Sequence, residues 1–176
     1  MCSSDLLGAA VIRWGDIDVL RGVLGPFLTN HPEVQFLHAG NGDVHNHLNI
    51  PAGQRLRLPN IAFHHRLLPR LLDFDIGLIP LDDHVFSSGK SELKGMEYAA
   101  LGIPCIASPS RPYQDWVDPG SNGFLAKTPR QWREALELLV TDDALRRKMG
   151  RASREKAYSR RIEVNYHGWQ KAWQTT

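Results

Sequence analysis

Short apolar or β-branched runs alternate with segments of helical period along the chain, and this alternation constrains the fold more than any other feature. A strand reached through a crossover helix joins its predecessor in parallel, and such a sheet needs helices on both faces. About six strands are expected. The first, Ala9–Trp14, is followed by Gly15-Asp16 and a helical stripe at Leu20, Val23, Leu24, Phe27 and Leu28, which Gly22, Gly25 and Pro26 weaken. The second, Val34–Ala39, ends at Gly40-Asn41-Gly42, a turn open to positive φ. A third lies within Leu56–Phe63, and Pro69 then opens a short helix through Leu72. Ile76–Pro80 reads as a buried central strand. The polar loop Ser87–Lys90 enters a helix Ser91–Leu101, Gly102 stops it, and Pro104–Ala107 is the next strand. Gly120-Ser121-Asn122-Gly123 turns into a last strand, Phe124–Ala126. Thr128 then caps a helix with Pro129 at its first position and a stripe at Trp132, Ala135, Leu136 and Leu139, and helix continues to the end.

The 176 residues suffice for one buried core and are few for two, so one α/β domain is expected. No run approaches the roughly 18 apolar residues of a membrane span. A formal net charge of +2 is too small to point to nucleic acid. The cysteines are Cys2 and Cys105, which argues against a disulfide framework or a cysteine-rich metal site and favours a reducing, cytoplasmic compartment. Residues 1–8 carry neither the basic region nor the apolar stretch of a secretory signal, and read as a ragged edge cut from a longer chain.

In an open α/β sheet, ligands bind beyond the carboxyl ends of the strands, where helix N-termini present unpaired N–H groups. That rule selects Trp14–Asp16, Gly40–Asp43, Pro80–Lys90 and Ser108–Tyr113. Along the helix Ser91–Leu101, the apolar positions Leu93, Met96 and Ala100 form a stripe, and Glu97 falls inside it. A carboxylate so placed needs donors, from protein or from ligand hydroxyls. Lys90 and Lys94 precede it on nearly the same side. Two cations near a helix N-terminus oppose the macrodipole, each by roughly 0.3–1 kcal/mol, and a phosphate would resolve the conflict. The plainer reading is a solvated ion-pair cluster on a structural helix.

Residues 91–108, Ser-Glu-Leu-Lys-Gly-Met-Glu-Tyr-Ala-Ala-Leu-Gly-Ile-Pro-Cys-Ile-Ala-Ser, resemble the donor-site segment of GT-B glycosyltransferases, particularly the family 4-like group. Asp75–Pro80 is similar to that group's preceding strand, and Gly120–Leu125 to its Gly-x-Asn-Gly turn and strand, in the same order. The resemblance implies a doubly wound, Rossmann-like GT-B C-terminal domain over residues 9–160 that binds a nucleoside diphosphate-sugar. Residues 161–176 would be a C-terminal helix packing on a missing N-terminal domain, which would hold a sugar, lipid-linked or protein acceptor. It further implies transfer with retention of anomeric configuration, no metal or cofactor, and no transfer by this piece alone.

Carried over by position, Glu97 is similar to the glutamate that accepts hydrogen bonds from the ribose hydroxyls. Lys94, or alternatively Lys90, would neutralise the diphosphate, with the N–H groups of Ser91 and Glu92 facing the same anion. Lys94 and Glu97 are thus the catalytic candidates. Gly15 looks like the glycine that approaches the donor, Gly40 would line the neighbouring loop, and the base would lie against Phe63–Arg66. Gly89 stands where many members carry a second glutamate near the sugar, so the sugar is not legible.

Further signals remain. His45 and His47 with Asp43 form the nearest thing to a metal cluster, but nothing at ligand spacing completes it. Asp82-Asp83 reads as loop and cap. The basic segment Arg146–Arg161 is a solvated helical face or a surface for anionic lipid at the inner membrane face; it lacks the aromatic interleaving that suits nucleic acid. Ile162, Tyr166, Trp169 and Trp173 recur on one side of the last helix, to pack on this domain or on a partner domain. Two other functions stay open, a nucleotide-sugar epimerase of the same architecture and a non-catalytic α/β binding module.

Overall fold

A computed structural model of the chain describes residues 6–10, 14–40, 42–58 and 74–174. Within them six strands form one sheet: β1 Leu6–Ala10, β2 Gln35–Ala39, β3 Arg55–Leu58, β4 Ile76–Ile79, β5 Cys105–Ala107 and β6 Gly123–Leu125. Their spatial order is β3-β2-β1-β4-β5-β6, and all neighbours are parallel. The chain walks outward from β1 to β3, then starts again at β4 on the other side of β1. This is a doubly wound sheet, and the reversal between β1 and β4 opens a crevice above their carboxyl ends.

Period-two alternation along the strands divides the apolar residues between two cores. Phe36 of β2, Ile76 and Leu78 of β4 and Ile106 of β5 join one; Leu37, Ile79, Cys105 and Ala107 join the other. The first core is closed by α1 Trp14–Asp18, α2 Leu24–Asn30, α3 Val44–His47 and the stripe of α7 Pro129–Thr141. The second is closed by α5 Leu93–Ala100 and α6 Arg111–Trp116. Among the described residues the remaining α-helices are α4 Val85–Ser88, α8 Asp143–Ser159 and α9 Ile162–Gln174.

Several boundaries differ from the sequence reading. The first strand lies at Leu6–Ala10 rather than Ala9–Trp14, and Trp14 begins a helix instead. The stripe from Leu20 to Leu28 is buried as expected, yet it does not belong to one helix, because Gly22 at φ 70° turns the chain before α2. The third strand occupies Arg55–Leu58, at the start of the expected window. The Pro69–Leu72 helix and the Phe63–Arg66 segment lie outside the described residues. The capped helix after Thr128 matches in full: Thr128 accepts from the Gln131 N–H, Gln131 reaches back, and Trp132, Ala135, Leu136 and Leu139 are buried.

The face of α5 is the main correction. Leu93, expected in the buried stripe, is 51% exposed, and Ala100 is exposed; the buried positions are Gly95, Tyr98 and Ala99. Aromatic bulk decides this. A Cβ on Gly77 of β4 would lie 2.5 Å from the Tyr98 ring, and one on Gly95 would lie 2.8 Å from Trp116. Each glycine leaves the space its aromatic fills, so the helix turns those positions inward, while Met96 of the expected stripe stays partly buried against the same core.

The basic segment is also partly structural. Arg146 is buried, donates to the Leu139 carbonyl at 2.7 Å and pairs with Asp143 at 3.0 Å. Lys156 reaches Asp118 at 2.7 Å and lies over Trp116. Lys148, Arg151 and Arg154 remain exposed. On α9, Ile162, Val164, Tyr166 and Trp173 are exposed, so among the described side chains this face is not packed on the domain's own core.

Candidate functional site

A pocket of about 200 Å³ sits at the reversal crevice. Its floor is the end of β4 and the residues beyond it, Leu78 to Leu81, with Tyr98 of α5 and Tyr113 of α6. Its polar lining is Asp16, Lys90, Ser91 and Lys94. Burial holds the Tyr113 phenol well above its ordinary range, with the neighbouring Cys105, Glu92 and Glu97 acting in the same direction, so it stays a neutral hydroxyl.

Two ion pairs organise the polar side. Asp16, at the start of the element after β1, is 3% exposed; its Oδ2 accepts from Lys90 Nζ at 2.7 Å and its Oδ1 from the Asp82 N–H at 3.1 Å. Lys90 lies between α4 and α5, with its ammonium 5.6 Å from the Phe86 ring centroid. On α5, Lys94 Nζ donates to Glu97 Oε2 at 2.8 Å, and the Glu97 side chain is 11% exposed. The sequence reading expected two cations crowding a helix N-terminus and a carboxylate seeking donors. The fold instead gives each lysine a carboxylate, so Glu97 has its donor before any ligand arrives.

The predicted site residues divide accordingly. Lys90, Ser91 and Lys94 line the pocket, and Glu97 meets it through Lys94. Gly15 adjoins it: the Asp82 carboxylate lies 2.8 Å from where its Cβ would stand, so a larger residue would require that carboxylate to shift. Gly89 and Glu92 belong to the same segment without lining the pocket, and Glu92 faces Arg160 at 3.9 Å. The expected helix from Ser91 begins at Leu93, with Glu92 as its N-cap residue, so the N–H groups lacking a partner within the helix start two residues later than assumed. Gly40 is not part of the pocket. It ends β2, one strand away from the crevice, and its N–H donates to the Leu58 carbonyl at 3.3 Å.

Asp16, Tyr98 and Tyr113 were not singled out by sequence, although Asp16 and Tyr113 stand in two of the four loops selected by the strand-end rule. Asp82 is structural here, accepting from Ser87 Oγ at 2.6 Å. Asp43, His45 and His47, discounted as a metal cluster, have separate partners: Asp43 caps α3, His45 faces His38, and His47 pairs with Asp18 at 2.7 Å. Taken together, the pocket offers two ammonium groups and the start of α5 to an anion, beside an apolar floor for a larger organic part.

Residues 93–156 match the family model for glycosyl transferases group 1. No protein of curated function matches the chain by sequence. Among solved structures, the pneumococcal O-GlcNAc transferase GtfA in complex with UDP and GlcNAc is similar at 17% identity and a TM-score of 0.77, over 98% of this chain and 36% of that one. The Anabaena protein HepE in complex with UDP and glucose is similar at 14% identity and a TM-score of 0.73, over 97% of this chain and 48% of that one. The C-terminal domain of the Francisella tularensis group 1 glycosyl transferase LpcC is similar at 16% identity and a TM-score of 0.69, over 92% of this chain and 86% of that one. The chain thus spans about a third to a half of GtfA and HepE and most of the isolated LpcC domain. Its fold is that of the C-terminal domain of GT-B glycosyltransferases.

Proposed function

We propose that this chain is the donor-binding part of a glycosyltransferase that takes its sugar from a nucleoside diphosphate-sugar. The observation that carries the reading is the clustering of Lys90, Ser91 and Lys94, with Glu97 behind Lys94, at the start of α5 and over the carboxyl end of β4, where the strand order reverses. Glu97 would accept from the ribose hydroxyls in addition to Lys94, since a carboxylate accepts several hydrogen bonds. Lys94 and Lys90 would then face the diphosphate. Charge that develops on the departing nucleoside diphosphate would be stabilised by the same ammonium groups and helix N–H groups.

Retention of configuration, independence of metal, and an acceptor held by a further domain belong to this proposal, as does a cytoplasmic location. Contact with an anionic membrane would fall to Lys148, Arg151 and Arg154, since Arg146 is buried. Calorimetry with UDP, GDP and ADP on the wild type and on Glu97→Ala tests the reading. The wild type should bind one of them, and the substitution should weaken it by about 1.5–3 kcal/mol, the worth of charge-assisted hydrogen bonds. A thermal melt separates this from loss of fold. Equal affinity of a folded variant would remove Glu97 from the site.

A further inference from the structure

We propose that Asp16 is a positioning residue, which holds Lys90 across the crevice so that its ammonium is already aimed at the donor diphosphate. The inference rests on the donor-site reading above and adds a residue to it. Among the described residues that line the pocket, Asp16 is the only acid. A carboxylate beside an anion site opposes the anion, so its place there needs a reason.

The reason is in its contacts. Oδ1 takes the Asp82 N–H at 3.1 Å and Oδ2 takes Lys90 Nζ at 2.7 Å. The Asp16 side chain is 5% exposed and that of Lys90 18%. One buried carboxylate thereby ties the segment after β1 to the loop after β4, the two sides of the reversal. Lys94 needs no such help, because Glu97 on its own helix anchors it. Lys90 lies outside any helix, on a flexible four-carbon stem, and without Asp16 the cost of ordering that stem would fall on the ligand. Gly15 permits the arrangement by letting Asp82 approach the backbone just before Asp16.

A double-mutant cycle separates positioning from simple repulsion. UDP affinity, or that for GDP or ADP if the wild type prefers it, is measured for wild type, Lys90→Met, Asp16→Asn and the double variant, with the matching nucleoside as control. Asparagine keeps an oxygen for the Asp82 N–H. Direct repulsion between Asp16 and the phosphates is present in both members that retain the acid and cancels. Lys90→Met should weaken the diphosphate about tenfold or more when Asp16 is present and less than about threefold in the Asp16→Asn background, with nucleoside affinity equal in all four. Equal losses in both backgrounds, a larger loss in the Asp16→Asn background, or parallel losses for the nucleoside would overturn the assignment. Lys90→Gln, which can still donate to the carboxylate, closes a second cycle if Lys90→Met fails to fold. A wild type that binds none of the three diphosphates overturns the donor-site reading itself, whereas wild-type binding with an additive cycle overturns only the role of Asp16.

Discussion

Acid should destabilise this domain through one histidine in its core. His38 follows Phe36 and Leu37 on β2, is fully buried, and has neither ring nitrogen hydrogen-bonded among the described residues. The His45 ring of α3 lies 6.1 Å away, and Arg57 is its register partner on β3. Burial first, then the charges of His45 and Arg57, lower its pKa from 6.5 to about 4. Above pH 6.5 the ring is neutral in both states and contributes no pH dependence. As the pH falls through 6.5 the unfolded chain takes up a proton that the folded chain refuses, so stability is lost progressively until the pH reaches about 4. The gap between the two values corresponds to about 3 kcal/mol, of which about 2 kcal/mol is lost by pH 5. That is a large part of the stability of an ordinary domain. Urea unfolding of wild type and His38→Leu at pH 7.5 and pH 5 measures it: the wild type should lose about 2 kcal/mol more than the variant. His45, whose pKa is also lowered chiefly by burial, stays in both proteins and leaves a smaller common slope. Equal losses in the two proteins would refute the reasoning.

Other expectations follow from the same contacts. Lys94→Met should weaken a nucleoside diphosphate far more than the nucleoside, because the ammonium answers only the phosphates; equal losses in calorimetry would make the lysine structural. Gly77→Ala should cost about 1–3 kcal/mol in urea unfolding, because its methyl would press on Tyr98, and it should also weaken nucleotide binding since Tyr98 floors the pocket. Intact binding with lost stability would show that the Tyr98 shift stops short of the site. Thr128→Ala removes the capping box of α7 and should cost about 1 kcal/mol in the same assay, with nucleotide affinity unchanged, the cap being remote from the pocket lining.

By itself the amino-acid order determined what short-range rules can carry. Apolar periodicity and turn residues announce a parallel α/β sheet, the buried stripe from Leu20 to Leu28 and the capped helix after Thr128, because each depends on residues a few positions apart. The loop that supplies Lys90 and Ser91 and the first turn of α5 that supplies Lys94 were legible for the same reason, as a polar turn before a helix behind a buried strand. What the tertiary structure decided depends on which strands become neighbours. Asp16 meets Lys90 across 74 positions only because β4 returns to lie beside β1, and that same order leaves Gly40 a strand away from the pocket. The inward face of α5 follows from Gly77 and Trp116, which lie on other elements and alter the packing that the helix's own stripe suggests. The burial of Arg146 and His38 was hidden likewise, since a charged or titratable side chain reads as solvated until the fold encloses it.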